Sequence, residues 1–302
     1  MKIMVADKLA DEGIKKMKDA GHEVLAVWDE PKDKLPTLIK DCDAIIVRSA
    51  TKVTKDLIAA GTKLKVIGRA GIGLDNVDAE AAKAKNIKVV NTPAATTISV
   101  AELAIGHMFS AARWIGAATA SMKYGKWEKK SYEGTELSGK TLGVMGFGRI
   151  GRETGRIAKA IGMKVIAYDP FIKDKEVDGN KMVSKDDLVK QSDFISLHMP
   201  LTPETKDLLG AKEFEMCKKG VIIVNCSRGG TINEDALFLA LQSGKVRAAG
   251  IDVFADEPPI GIHKLATLPN VSLTPHIGAS TDEGQLRAGV QVAEVVMEAL
   301  KK

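Results

Sequence analysis

Short apolar runs alternate with amphipathic stretches along almost the whole chain. Residues 3–6, 23–27, 44–47, 64–67 and 87–90 have strand length, and between them 9–20, 35–41, 55–60 and 79–85 carry apolar positions at helical spacing. Strands that read as continuous apolar runs, without alternation, belong to parallel sheets covered by helices on both faces. The stretch up to residue 90 therefore predicts a doubly wound domain of five βα repeats.

Thr92-Pro93 interrupts the pattern. Residues 100–115, VAELAIGHMFSAARWI, then read as one long helix, apolar on most of its circumference and so buried nearly all round. The polar, glycine-punctuated stretch from Ser121 to Thr141 reads as an extended arm. Alternation restarts with strands at 142–145, 164–168, 194–198, 221–225, 249–253 and 271–273, and helices at 186–190, 213–217 and 235–243 between them. A last helix, 282–300, carries Leu286, Val290, Ala293, Val296, Met297 and Leu300 on one side. The fold class is α/β, with two doubly wound parallel-sheet domains.

Composition narrows the function without deciding it. The 302 residues exceed the roughly 100 to 200 of one domain. Net charge is +5 with both signs interspersed and aromatics are 4%, which suggests neither a nucleic-acid groove nor a base-stacking platform; a mild positive balance suits an anionic small substrate. No apolar stretch approaches the roughly 18 residues of a membrane span, and the chain opens directly into a strand, so a cytoplasmic protein without a membrane partner is expected. Cys42, Cys217 and Cys226 are odd in number and lack metal-ligand spacing; they predict reduced thiols in or near the core and no metal site.

One stretch carries a recognisable chemistry. Gly146-Phe147-Gly148-Arg149-Ile150-Gly151 lies between a strand and a helix with Ile150, Ile157, Ala158 and Ile161 on one face, and Asp169 ends the following strand, 18 residues (169 − 151) past the last glycine. This is the G-x-G-x-x-G turn of a dinucleotide-binding βαβ unit, where the acid is expected at roughly 20 residues. Gly146 allows a tight turn, Gly148 lets a pyrophosphate approach the backbone, and Gly151 lets the helix pack on the strand. The helix start offers free N–H groups to phosphates. Asp169 would accept from both ribose hydroxyls and repel a 2′-phosphate, and Pro170 and Phe171 follow it with no arginine, so NAD is favoured over NADP.

Open α/β sheets bind ligands at the carboxyl ends of their strands, and three polar clusters fall there. Arg228 stands in Asn225-Cys226-Ser227-Arg228-Gly229-Gly230, Glu257 in Asp252-Val253-Phe254-Ala255-Asp256-Glu257-Pro258-Pro259, and His276 in Leu273-Thr274-Pro275-His276-Ile277-Gly278. Taken singly, each has a plain structural explanation as a solvated cap or loop residue. Grouped at the strand ends of one nucleotide domain, they read as a catalytic set.

Together with VRSATKVT at 47–54, GRAGIGLDNVD at 68–78, VNCSRGG at 224–230, DVFADEPP at 252–259 and PHIGAST at 275–281, these residues show that the chain resembles the NAD-dependent D-2-hydroxyacid dehydrogenases over nearly its whole length. The first two stretches point toward the phosphoglycerate branch of that family. The resemblance implies that His276 is the general acid and base, that Glu257 holds and charges its ring, and that Arg228 grips the substrate carboxylate. It implies cofactor contacts from Gly146, Gly148, Arg149, Ile150, Gly151, Asp169, Met199, Cys226, Asp252 and Gly278. On the substrate side it implies the backbone N–H groups around Ala70, Gly71, Ile72 and Gly73, with Arg48 and Arg69 as partners for carboxylate or phosphate.

The implied architecture is a substrate domain of residues 1–95 with 282–302, and a Rossmann-type NAD domain of 96–281, with the active site in the cleft between them. A dimerisation helix and arm at about 98–135 would make a two-fold homodimer. Family members that continue into a serine-binding regulatory domain differ from a sequence ending at Lys302, so feedback through such a domain is not expected. The competing readings are a glyoxylate or hydroxypyruvate reductase of the same family, which a substrate panel separates, and, from another class, a non-catalytic NAD-sensing interaction protein, against which the presence of Arg228, Glu257 and His276 counts.

Overall fold

The computed structural model describes residues 1–301. It divides the chain into two compact units, Met1–Thr97 with the segment from Ala279, and Ile98–Gly278. Both are α/β.

The first unit contains β1 (Lys2–Val5), α1 (Asp11–Asp19), β2 (Glu23–Ala26), α2 (Leu35–Leu38), β3 (Ala44–Val47), α3 (Lys55–Ala60), β4 (Val66–Arg69), α4 (Ala79–Ala84) and β5 (Lys88–Asn91). Its strands pair in parallel in the order β2-β1-β3-β4-β5. Chain direction across the sheet therefore reverses between β1 and β3, the position at which doubly wound sheets open a crevice. One face is filled by Met4, Ile45, Val47 and Ile67 under α2 and α3 residues such as Leu57 and Ile58; the other by Ile3, Val5, Ile46 and Val66.

The last helix closes that second face with Ala293, Val296, Met297 and Leu300 of the expected side, but Leu286 of that side is turned out. Its buried residues are Gly284, Ala288, Gly289, Val292, Ala293 and Val296, while Leu286 is 41% exposed. The approach is close. A Cβ on Gly13 of α1 would stand 2.4 Å from the Gly289 carbonyl oxygen, and one on Gly68 of β4 would stand 2.4 Å from Val296 Cγ2. Small residues at the contacts let the helix sit against α1 and the sheet together.

The second unit opens with α5 (Thr97–Arg113) and α6 (Ile115–Lys123), then β6 (Thr141–Met145), α7 (Arg149–Ala160), β7 (Lys164–Tyr168), β8 (Glu176–Val177), β9 (Asn180–Met182), α8 (Lys185–Gln191), β10 (Phe194–Leu197), α9 (Ala211–Met216), β11 (Val221–Asn225), α10 (Glu234–Gln242), β12 (Val246–Ile251) and β13 (Val271–Leu273); α11 (Asp282–Lys301) is the closing helix of the first unit. Strand order is β13-β12-β11-β10-β6-β7-β9-β8, parallel except at the β8–β9 edge. The switch of direction lies between β6 and β10. The edge hairpin turns at Asp178-Gly179, both at positive φ, a two-residue turn chemistry that the apolar pattern passes over.

Two expectations change here. The long apolar helix breaks at Trp114, which adopts φ 57°, so residues 115–123 form a second helix where an extended arm was expected to begin. Nor is α5 buried all round: Ile98, Glu102, Gly106, Phe109 and Arg113 form an exposed stripe, opposite a buried face of Ala101, Ala104, Met108 and Ala112. No helix of the described residues is long and apolar enough to cross a membrane, and the described residues hold no cluster of metal-ligating side chains.

Candidate active site

The glycine motif forms the turn from β6 into α7. Gly146 takes φ 89°, and a Cβ there would lie 2.5 Å from the carbonyl oxygen of His198. The turn after β6 thus touches the chain leaving β10, across the switch point. A Cβ on Gly151 would lie 2.0 Å from the Gly146 carbonyl oxygen, so glycine lets the first turn of α7 press on the strand end.

Gly148 differs, because a Cβ there would meet nothing within 4 Å. The protein's own packing makes no demand for glycine at this position. A pyrophosphate laid over the turn does make that demand, with the free N–H groups at the start of α7, where Arg149 and Ile150 stand, as its donors. The residues present therefore fit a dinucleotide. Asp169, just beyond β7, is tied back to the same turn: Oδ2 accepts from the Phe147 amide at 2.9 Å and Oδ1 from the Phe171 amide at 2.9 Å. Each oxygen keeps a second lone pair, which suits the two hydroxyls of a ribose.

The three catalytic candidates meet in this unit on loops that leave β11, β12 and β13. The Arg228 carbonyl accepts from Asn225 Nδ2 at 3.0 Å and from Thr231 Oγ1 at 2.7 Å, which folds the loop after β11 back on its strand. Gly229 brings this loop onto the next one, since a Cβ there would stand 1.7 Å from the Phe254 carbonyl oxygen. Phe254 in turn donates its amide to Glu257 Oε1 at 3.0 Å, and Glu257 Oε2 lies 2.6 Å from His276 Nδ1.

This contact sets the charge of the pair. The hydrogen bond and the negative charge of Glu257 lift the His276 imidazole above its ordinary pKa of 6.5, against the opposing effects of partial burial and of Arg228. Partial burial pushes the Glu257 carboxyl up, but the His276 bond, the Phe254 amide and the cationic neighbours hold it below the ordinary 4.5. The contact thus favours the protonated ring, commits Nδ1 to Glu257 and leaves Nε2 for chemistry.

His276 also sits at φ 52°, a left-handed conformation that costs a side-chain-bearing residue about 1–3 kcal/mol. It is held there through Asp252. The Asp252 carbonyl accepts the His276 amide at 2.8 Å, Oδ1 accepts from Thr274 Oγ1 and the Ile277 amide at 2.6 and 2.8 Å, and Oδ2 accepts the Gly278 amide at 2.9 Å. The Asp252 side chain is therefore turned inward and buried, where the resemblance implied a cofactor contact, and the Gly278 amide is spent on it. Met199 and Cys226 are buried too, and burial pushes the Cys226 thiol up, so it stays protonated.

In the first unit, Arg48 follows β3 and Arg69 ends β4. The Arg48 amide donates to Asp7 Oδ2 at 2.7 Å and its carbonyl accepts from Asn76 Nδ2 at 2.7 Å, so the loop after β3 is pinned at the switch point by an acid just past β1. Asp7 is buried and also takes the Thr51 amide and hydroxyl and the Lys32 ammonium. The Arg69 guanidinium lies across Gly71, where a Cβ would be 1.6 Å from Nη1. Ala70 drops out of the expected carboxylate donors, because its one N–H goes to the Val47 carbonyl at 2.9 Å.

Sequence reasoning singled out none of Asp7, Asn76, Thr274 or His107, although all four support residues it did name. The first had a signal of the kind that found Asp169, an acid directly after an apolar strand.

Residues 105–278 match the NAD binding domain of the D-isomer specific 2-hydroxyacid dehydrogenases, and the match contains the glycine turn, Asp169, Arg228, Glu257 and His276. The chain belongs to this dehydrogenase family. Over 304 aligned residues it is 51% identical to a D-3-phosphoglycerate dehydrogenase of Methanocaldococcus jannaschii, an alignment that covers 100% of this chain and 58% of that protein. It is 54% identical over 271 residues to a hydroxypyruvate reductase of Thermotoga maritima, covering 89% of this chain and 88% of the relative. Among solved structures, a glyoxylate reductase from Paecilomyes thermophila superposes with a TM-score of 0.89 at 32% identity, covering 100% of this chain and 96% of that one. Within this family's NAD binding domain, the loops after β11, β12 and β13 are the candidate catalytic face.

Proposed function

We propose that the chain oxidises D-3-phosphoglycerate at C2 to 3-phosphohydroxypyruvate, the opening reaction of serine biosynthesis, and catalyses the reverse reduction. The observation that carries the reading is the 2.6 Å pair of Glu257 and His276 beside Arg228. NAD, when bound, supplies the hydride chemistry. His276 Nε2 takes the C2 hydroxyl proton in oxidation and returns it to the C2 oxygen in reduction, while Glu257 keeps the ring oriented. Arg228 holds the substrate carboxylate by its planar fork. The distal phosphate calls for further cations, and Arg48 and Arg69 at the ends of β3 and β4 supply them.

A second reading, hydroxypyruvate reductase, is favoured by one observation, the 54% identity to a relative of similar length. NADH formation or consumption measured across 2-hydroxy and 2-keto acids, with and without a phosphate, decides. Preference for the phosphorylated acid supports the first reading, and equal or better use of hydroxypyruvate or glyoxylate replaces it with the second.

The assembly we infer is a homodimer in the cytoplasm. Its support is an exposed apolar run on α5, α6 and the segment after them: Ile98, Phe109, Ile115, Met122 and Trp127, the last 80% exposed. Exposed apolar area gathered along one continuous stretch of chain is characteristic of a subunit contact. The three thiols are buried and unpaired, which suits a reducing compartment. Sedimentation equilibrium of the wild type and of Phe109→Asp tests the dimer; a monomeric wild type removes it.

A further inference from the structure

We propose that His107, on the buried face of α5, is a positioning residue that holds the His276 loop in place through Thr274 and Asp252. The inference rests on the role of His276 given above. It starts from a polar side chain in an apolar setting: His107 is 3% exposed, among Ala104, Met108 and Ala111 of its own helix. Room for its ring is made on the sheet, where a Cβ on Gly250 of β12 would stand 2.5 Å from the His107 Cβ.

Both ring nitrogens are engaged. Nδ1 lies 3.1 Å from Ser272 Oγ and Nε2 lies 2.9 Å from Thr274 Oγ1. The Asp252 carboxylate fixes the direction of the Thr274 bonds. It only accepts, so Thr274 gives its hydroxyl proton to Oδ1 at 2.6 Å and takes the His107 Nε2–H on its lone pair. Burial favours the neutral ring, and in the neutral ring that donates from Nε2, Nδ1 accepts from Ser272.

From Asp252 the same chain of bonds reaches the amides of His276, Ile277 and Gly278. A backbone at φ 52° relaxes unless its surroundings hold it, and this network supplies the hold from the sheet side and the helix side together. Filling the same volume needs no polar atom; a leucine or methionine would serve. A histidine with both nitrogens satisfied instead orients its neighbours.

The test compares wild type with His107→Met, which keeps volume, Thr274→Val, which keeps shape and loses the hydroxyl, and Thr274→Ser, which keeps the hydroxyl. Three quantities are read: kcat with a 2-keto acid, NADH affinity, and the titration of the His276 ring by NMR in protein without cofactor. The groups that set this titration are Glu257, Asp252 and Arg228, and none is altered. In His107→Met and Thr274→Val, kcat is expected to fall about tenfold, a fraction of the loss that a 1 Å misplacement produces. NADH affinity should hold, and the His276 titration should move down toward its ordinary value as the Glu257 contact loosens. Thr274→Ser should restore both.

A Thr274→Val protein with wild-type kcat and wild-type His276 titration overturns the proposal, whatever its melting temperature. If His107→Met yields no folded protein, the two Thr274 variants decide alone. A wild type that turns over no 2-keto acid would sink the proposed function, while the NMR titration still judges the network.

Discussion

Oε2 of Glu257 stands 2.6 Å from Nδ1 of His276, so the imidazole has one nitrogen committed to the protein and one to offer a substrate. Replacing His276 with Asn should lower kcat by about 10² to 10⁴-fold, the usual range for losing general acid–base help. NADH binding, followed by fluorescence titration, should persist. A variant within a few-fold of wild type would remove His276 as proton carrier.

The pH dependence follows from the same contact. In reduction the active ring is protonated, and activity is lost as pH rises through a pKa lifted above 6.5. Glu257→Gln removes the main cause of the lift, so that limb should move to lower pH, and in oxidation the activity gained with rising pH should begin lower. Stability has two edges. The His276 part is complete below its unfolded value of 6.5 and is lost as pH rises through the folded one, and the Glu257 part is complete above 4.5 and is lost as pH falls through its depressed value. The pair thus stabilises most between them. With side chains 44% and 35% exposed, the contribution should stay within about 1 kcal/mol. Melting temperatures of wild type and Glu257→Gln across pH check the window; a constant difference would refute it.

Gly148 and Gly229 make a matched test of what glycine is for. Gly148→Ala meets no protein atom, so its melting temperature should match wild type while NADH binds more weakly. Gly229→Ala forces a Cβ to within 1.7 Å of a backbone oxygen that no side-chain motion can relieve. It should cost about 1–3 kcal/mol in urea unfolding, as overpacking does, and lower kcat by parting the Arg228 and Glu257 loops. Unchanged NADH binding in Gly148→Ala would show that the turn after β6 does not hold the pyrophosphate.

Asp169 should govern the choice of cofactor, because its carboxylate is locked to the Phe147 amide in the glycine turn. Asp169→Ala is expected to narrow the preference for NAD over NADP, read as the ratio of kcat/KM values. A wild type that used both equally would disprove the assignment.

Arg48 and Arg69 should matter for the phosphorylated substrate far more than for an unphosphorylated one. Charge-removing changes at either site are expected to lower kcat/KM for phosphoglycerate steeply and for glycerate little, and high salt should shrink the difference where the contact is open to solvent. Equal losses on both substrates would take the phosphate away from these arginines.

Much of this was legible from residue order alone, because the signals are local. A strand run, a glycine turn, a helix start and an acid after the next strand follow one another in Thr141–Asp169, and no distant residue is needed to recognise them. Arg228, Glu257 and His276 were likewise marked by standing just past apolar runs. Tertiary contact decided what periodicity leaves open. On α11 the expected side packs at Ala293, Val296, Met297 and Leu300, but the backbone approach of Gly13 to Gly289 adds a contact of small residues that no periodicity marks, and Leu286 stays exposed. The break at Trp114 is a single left-handed residue inside an unbroken apolar pattern. Asp252 follows a strand as a cofactor ligand would, yet its carboxylate turns inward, because the hydroxyl of Thr274 and the amides of Ile277 and Gly278 are brought to it from the neighbouring strand's loop. Hydrogen-bond partners many residues apart have no period, and only the packed sheet puts them within reach of one another.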